Sequence, residues 1–316
     1  VVVGGGGFRL KVVPRPLLRE YLTDFVRLAY PLLFVTAAFS LAGVVDKAVA
    51  SFFEAGVITS LNLAHTLCFV FIAIFLDPLS RVLFPRFADV YHRGDLGTLK
   101  SDFNRGQLLV FSIFVPISLF IVFFAKDVIY ALYFRMSFSA EDATNTARFL
   151  RLYGCALLFN AIYYLTSFLF QGAQKNAVIG RIGVLGYGVQ IAGAVTFSIL
   201  LGPAGIPLGT VAGFLTLAIL STLSLKRHFG ISYSGDTLIL GVSVFVFSVV
   251  AAAIVHISPL SVPASVLGSN FRYIVNLLIK AVVFALSLTV LVGLTTGRLL
   301  LSRLTQKEER RSPEGR

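Results

Sequence analysis

Charged side chains are scarce in this sequence. Asp, Glu, Lys and Arg make up 13% of its 316 residues against 57% hydrophobic, and the mean hydropathy is +0.87. So little polar surface excludes a water-soluble globule of this size. Cysteine is nearly absent too. Cys68 and Cys155 both fall in apolar runs, where a free thiol behaves as a small hydrophobe, so neither a disulfide nor a thiolate metal site is expected. The four histidines, His65, His92, His228 and His256, have no metal-ligand spacing among them. The opening "VVVGGGG" lacks the Gly-Lys-Ser/Thr ending of a phosphate-cradling loop and reads as a flexible linker. No metal and no cofactor is expected. Methionine occurs once, at Met136, and the chain opens on Val1, so it is expected to be a fragment or processed piece of a longer protein.

What the sequence has in abundance is long apolar runs. A helix needs roughly 20 mainly apolar residues to cross about 30 Å of hydrocarbon. Eight runs approach that length: 28–50, 57–80, 107–125, 152–171, 177–201, 205–225, 237–257 and 273–297. None alternates apolar with polar residues as the strands of a membrane barrel do, so the expected class is all-α, a polytopic transmembrane bundle of about eight helices. The first run is no signal peptide, because an Arg-rich segment precedes it and no small-residue cleavage site follows.

Eight spans place alternate loops on opposite sides. One side and its flanks collect Arg9 to Arg27, Arg81 to Arg105, Lys175 and Arg181, Lys226 and Arg227, and Arg298 to Arg316, which is 20 of the 27 basic residues. The positive-inside rule makes that side, with both termini, cytoplasmic. The dense strip "RVLFPRFADVYHRGDLGTLKSDFNRG" at 81–106 is then a cytoplasmic elbow, in which Pro85 closes one span and "GDLGTLKSDFNRG" forms an amphipathic surface helix leading into the next. The net charge of +12 is read as orientation plus attraction to anionic membrane lipids, at about 1 kcal/mol per basic residue near the surface. Nucleic acid is not an expected partner, because the aromatics lie in the spans and not among the basic residues.

Polar side chains inside the spans are the informative exceptions. Asn160, Tyr163, Tyr164, Ser167 and Gln171 fall at offsets 0, 3, 4, 7 and 11, one face of a helix; Thr36, Ser40, Gly43 and Lys47 repeat the same spacing. Such stripes either line a wet cavity or pack against other helices. Ionisable residues within spans are costly and therefore functional candidates: His65, Asp77, Arg81 and Lys280, with Asp46 and Lys47 near a boundary. The candidate cavity residues are Ser40, Asp46, Lys47, Asn62, His65, Asn160, Tyr163, Tyr164, Ser167 and Gln190. Asp77 and Arg81, one turn apart, are expected to form a structural ion pair. Asp46 with Lys47 is a possible boundary pair, Lys280 is expected to snorkel, and Gly183, Gly186 and Gly193 read as close packing. No catalytic residue is expected: Asp127, Glu141 and Asp142 are loop carboxylates, and "SAED" reads as a helix start with Ser139 as its cap.

The order "LFPRFADVYHRGDLGTLKSDFNRG", "FSAEDATNTARFLRLYG", "SFLFQGAQKNAVIGRIG", "GPAGIPLGTVAGF" resembles the second half of the MurJ/MviN lipid II flippases, of the multidrug/oligosaccharidyl-lipid/polysaccharide exporter superfamily. The resemblance runs from about Arg19 to Gly230 and more weakly beyond. It implies helices seven to fourteen of a fourteen-helix, MATE-like fold: a cytoplasmic linker (1–27), a six-helix lobe (28–228), two additional helices (229–299) and a basic cytoplasmic tail (300–316). It also implies alternating-access translocation of a lipid-linked oligosaccharide or peptidoglycan precursor across the cytoplasmic membrane, with a lipid-linked glycan as substrate and cell-envelope synthesis proteins as potential partners. Where the family commonly has an Asp-Arg pair after an alanine, this chain has Ala64, His65 and Thr66. Where it commonly has Gly-Asp-Thr after helix ten, this chain has Gly172 to Ala177 in the order "GAQKNA". Two alternatives stay open at this point: a non-transporting membrane scaffold for envelope or polysaccharide synthesis, and a cation-coupled exporter of amphiphiles.

Overall fold

The computed structural model describes residues 15–133, 140–257 and 272–289. Every regular element among them is helical: α1 (Arg15–Ala50), α2 (Val57–Phe71), α3 (Asp77–His92), α4 (Leu96–Tyr133), α5 (Ala140–Gly172), α6 (Asn176–Leu201), α7 (Gly205–Phe229), α8 (Gly235–Ile257) and α9 (Arg272–Thr289). A π-helical turn, Ile72–Leu76, fuses α2 and α3 into one rod. A 3-10 turn, Gly202–Ala204, joins α6 to α7. Seven stretches are long and apolar enough to cross a membrane, and the longest of these, Asn176–Phe229, contains both α6 and α7. The protein is a multi-pass membrane helical bundle, as backbone groups in hydrocarbon require. The linker 1–14, Ser139 and the tail 300–316 lie outside the described residues.

The rods outrun the apolar runs that announce them, because a helix continues past the hydrocarbon while hydropathy registers only the immersed part. The elbow shows this and corrects the expected surface helix. Pro85 does not close its span: α3 continues through it to His92. Its missing N–H deprives the carbonyl of Arg81 of a donor, a loss that water at the membrane edge can make good. The chain then reverses in three residues, with Gly94 at φ 75°, and α4 begins at Leu96 and runs into the bundle, kinking only at Phe124 (φ −108°). Asp95 caps it, accepting a hydrogen bond from the Thr98 N–H at 2.9 Å. These bonds from Thr98 hold the Asp95 carboxyl below the usual carboxylate range. Arg86 Nε meets Asp102 Oδ2 at 2.8 Å and clasps the two arms.

In lipid, apolar burial between helices has little driving force, so small residues that permit close approach hold the rods together. α6 illustrates it. A Cβ on Gly180 or Gly183 would press into Pro31 or Val35 of α1, and one on Gly186 into Leu217 of α7. On the facing side, a Cβ at Gly209 would strike the backbone of Ala194, and Gly193 lies against Gly209 itself. The interior gathers fully buried Phe87, Phe103, Phe114 and Phe170 around α4 and α5.

α8 packs on α4, and α9 joins it through a smaller apolar cluster of Phe124, Ala251, Ala252, Val255 and Phe284. Lys280 does not simply snorkel. Its Nζ pairs with Asp127 Oδ1 at 2.6 Å, fastening α9 to α4. For a half-buried ammonium beside hydrocarbon, a carboxylate within reach costs less than stretching to water.

Candidate functional site

Two cavities open among α1, α2, α5, α6 and α7, and both are lined by His65, Phe39 and Phe214. The first, of about 220 Å³, takes Ser40, Asp46 and Lys47 from α1, Asn62 and His65 from α2, Tyr153 from α5, Gln190 from α6 and Thr210 from α7. We call it the Asp46 chamber. The second, of about 590 Å³, is lined by Thr36, by Asp77 at the start of α3, and by the α5 face of Asn160, Tyr163, Tyr164, Ser167 and Gln171. This is the Tyr164 chamber.

The two polar stripes of the sequence thus line the same pair of cavities. The α5 stripe lines the Tyr164 chamber, whereas the α1 stripe passes from Thr36 in that chamber to Ser40, Gly43 and Lys47 in the other. All ten candidate cavity residues lie on one chamber wall or the other. Asp127, Glu141 and Asp142 line neither; the latter two occupy the first turn of α5.

Hydrogen bonding distinguishes the chambers. Gln190 Nε2 donates to Asp46 Oδ2 at 3.0 Å, which leaves Asp46 Oδ1 and Gln190 Oε1 buried with no partner among the described residues. The possible Asp46–Lys47 pair is not formed. Consecutive residues on a helix point about 100° apart, and Lys47 makes no ion pair among the described residues. In the other chamber the Tyr164 hydroxyl donates to Asp77 Oδ1 at 2.9 Å, and Ser167 Oγ donates to the Tyr164 carbonyl at 2.7 Å.

The expected Asp77–Arg81 ion pair is therefore corrected. The π-turn before Asp77 re-phases the helix face so that Ile72, Ala73 and Asp77 border the chamber, within reach of Tyr164. Arg81 stays exposed, where a pair would gain little.

A band of rings marks where the chambers meet. The His65 ring lies 4.6 Å from Phe69 and 5.3 Å from Tyr153, Phe69 lies 5.6 Å from Phe214, and Tyr187 lies 5.5 Å from Phe39. Sequence reasoning found His65 and missed the rings around it. Tyr153 had a signal, since it stands seven residues before Asn160 and extends the α5 stripe. The phenylalanines had none, because a chamber-facing Phe and a lipid-facing one read alike.

The walls offer hydroxyls, amides, one carboxylate engaged by a tyrosine, one carboxylate with a free oxygen, and a lysine. That set suits noncovalent recognition of a polar, hydroxyl-rich, anionic group.

Residues 6–299 match the family described as Lipid II flippase MurJ. A probable lipid II flippase MurJ from Thermotoga maritima is 24% identical over 233 residues, 72% of this chain and 48% of that protein. The solved structure of a lipid II flippase MurJ in an inward closed conformation matches with a TM-score of 0.69 at 18% identity, covering 86% of this chain and 55% of that one. An outward-facing multidrug resistance MATE family transporter of the MOP superfamily matches with a TM-score of 0.58 at 15% identity, over 84% and 63%. The chain spans about half the length of the MurJ relatives it matches. With the family match covering nearly all of the described bundle, the chain belongs to the lipid II flippase MurJ family.

Proposed function

We propose that this chain forms the second lobe, with two flanking helices, of a transporter that moves a lipid II-type or related lipid-linked oligosaccharide across the cytoplasmic membrane by alternating access. The observation that carries this reading is the pair of chambers meeting at His65, lined by polar side chains from α1, α2 and α5. A sugar headgroup cannot cross hydrocarbon unaided, since each unpaired polar group costs several kcal/mol. Asn160, Tyr164, Ser167 and Ser40 replace its hydration, and Lys47 faces its anionic phosphate while the lipid tail stays outside. Where the family commonly carries an arginine, this chain has Thr66, and Lys47 supplies a cation to the Asp46 chamber. Rocking this lobe against a partner lobe exposes the groove to each side in turn.

Orientation follows from charge. Contacts among Leu28, Asn104, Lys175, Asn176, His228 and Ser234 gather one end of the bundle, and the excess of basic residues lies there. We place that end in the cytoplasm.

The test uses the full-length protein reconstituted in vesicles, with Cys68 and Cys155 replaced and single cysteines placed at Ser40, Asn160 and Tyr164. Water-soluble thiol reagents are expected to label these positions, and a lipid-linked glycan is expected to protect them. Lys47→Gln is expected to slow headgroup translocation by about tenfold, equivalent to about 1.4 kcal/mol. Resistance to labelling from both faces overturns the reading. Full activity of chamber variants alongside loss of function on deleting 300–316 overturns it in favour of a scaffold.

A further inference from the structure

Away from the chambers, a cavity of about 370 Å³ lies between the first turns of α4 and the start of α8, bordered by Lys100, Ser101, Asn104, Arg105, Ser234 and Thr237. Its frame is built from buried polar groups. Asn104 is 8% exposed; its Oδ1 accepts the Ser234 N–H at 2.9 Å and the Thr237 hydroxyl at 3.2 Å, and its Nδ2 donates to the Lys100 carbonyl at 2.9 Å. Ser234 Oγ in turn accepts the Thr237 N–H at 3.1 Å and caps α8. The frame is thus satisfied, and the two cations on its rim are not. Lys100 and Arg105 are exposed and form no ion pair among the described residues. Among the described side chains, the carboxylates nearest to Lys100 and Arg105 in sequence are engaged elsewhere: Asp102 holds Arg86 and Asp95 caps α4.

Two cations with no ion-pair partner among the described residues, beside hydroxyls and the positive end of the α8 dipole, are complementary to a phosphate. The surroundings distinguish a lipid from a free ion. One to two turns further into the bundle, Leu109 on α4 and Leu238 and Val242 on α8 are each about half exposed, at 49%, 49% and 62%. A phosphate held by Lys100 and Arg105 therefore has an apolar wall running from it in the direction an acyl chain takes.

We infer that the α4–α8 seam binds the headgroup of an anionic phospholipid, with its acyl chains along α4 and α8. The site shares no residue with the chambers and does not depend on the transport reading. An occupant here would tie α8, and through it α9, to the six rods of α1 to α7.

Native mass spectrometry of the full-length protein, delipidated and titrated with phosphatidylglycerol or phosphatidylcholine, tests it. Retention of phosphatidylglycerol over phosphatidylcholine is expected, with the combined Lys100→Gln and Arg105→Gln variant about 30-fold weaker, at roughly fivefold per charge near a membrane surface. Lys100→Arg with Arg105→Lys is expected to restore binding, which excludes misfolding as the cause of the loss. Lys226→Gln with Arg227→Gln removes equal charge at the same end of the bundle and is expected to change retention less than twofold. An equal loss in that control shows only a general charge effect and overturns the site. So does unchanged phosphatidylglycerol binding in the Lys100/Arg105 variant. Inorganic phosphate competing away phosphatidylglycerol at low millimolar concentration shows a free-anion site and overturns the lipid assignment.

Discussion

The two chambers are built by nearly the same helices yet differ in what they leave unsatisfied. The Asp46 chamber is small and holds a carboxylate oxygen and an amide oxygen that have no partner among the described residues, beside a lysine that forms no ion pair among them. The Tyr164 chamber is larger, lined by hydroxyls and amides, and its one carboxylate is held by a tyrosine. The difference teaches that depth along a helix sets chemistry as much as the helix does. α1 supplies Thr36 to one chamber and Asp46 and Lys47 to the other, three turns away. An unsatisfied buried group is strongly disposed to take a ligand, whereas a satisfied one contributes shape and moderate hydrogen bonding.

The comparison is broken most severely at the α6–α7 seam, which supplies Gln190 and Thr210 to the Asp46 chamber alone. Gly209→Leu places a side chain against the Ala194 backbone. It is expected to lower stability by about 3 kcal/mol or more, read as a fall in unfolding temperature, and to close the Asp46 chamber to thiol reagents at Ser40 while Asn160 stays reactive.

Next in size is the contrast between the carboxylates. Asp46→Asn removes the charge from a site with a free oxygen, and transport in vesicles is expected to fall about tenfold, equivalent to about 1.4 kcal/mol. Asp77→Asn keeps an oxygen for the Tyr164 hydroxyl and is expected to change the rate less than about twofold, under 0.5 kcal/mol. Equal effects would erase the distinction between the chambers.

Tyr164→Phe is smaller again. It strands the Asp77 carboxylate without its donor, at a cost of about 1 kcal/mol in thermal or denaturant unfolding, because water reaches the half-buried carboxylate. Combining it with Asp77→Asn should recover part of that loss, and strict additivity would show that the two groups do not interact.

The smallest effect lies outside both chambers and serves as a control. The Thr98 bonds depress the folded-state pKa of Asp95 below its ordinary value. The cap therefore contributes fully above the unfolded carboxylate value, about 3.9, and its contribution fades as pH falls through the lower folded one. Asp95→Ala should flatten that acid dependence of stability without altering labelling in either chamber.

Much of this was legible before any coordinates. Polar residues at spacings of three and four within an apolar run cannot all face lipid, so the α1 and α5 stripes declared themselves, as did His65 and Gln190. The pairings were not legible. Lys280 finds Asp127 across 153 residues and Gln190 finds Asp46 across 144, and nothing in local spacing anticipates either. The stretch "IAIFL" gives no sign of the π-turn that directs Asp77 to Tyr164 instead of Arg81. Pro85 misled because a proline that would break a buried helix is tolerated where water reaches the backbone.

The sequence by itself determined that the chain crosses a membrane repeatedly as helices and that two of them carry polar faces, because hydrocarbon forces each span to satisfy its own backbone and makes every polar residue conspicuous. Only the tertiary structure decided that those faces meet around two chambers divided by His65 and its neighbouring rings. Helix partners in lipid are chosen by close steric fit between surfaces that hydropathy cannot tell apart.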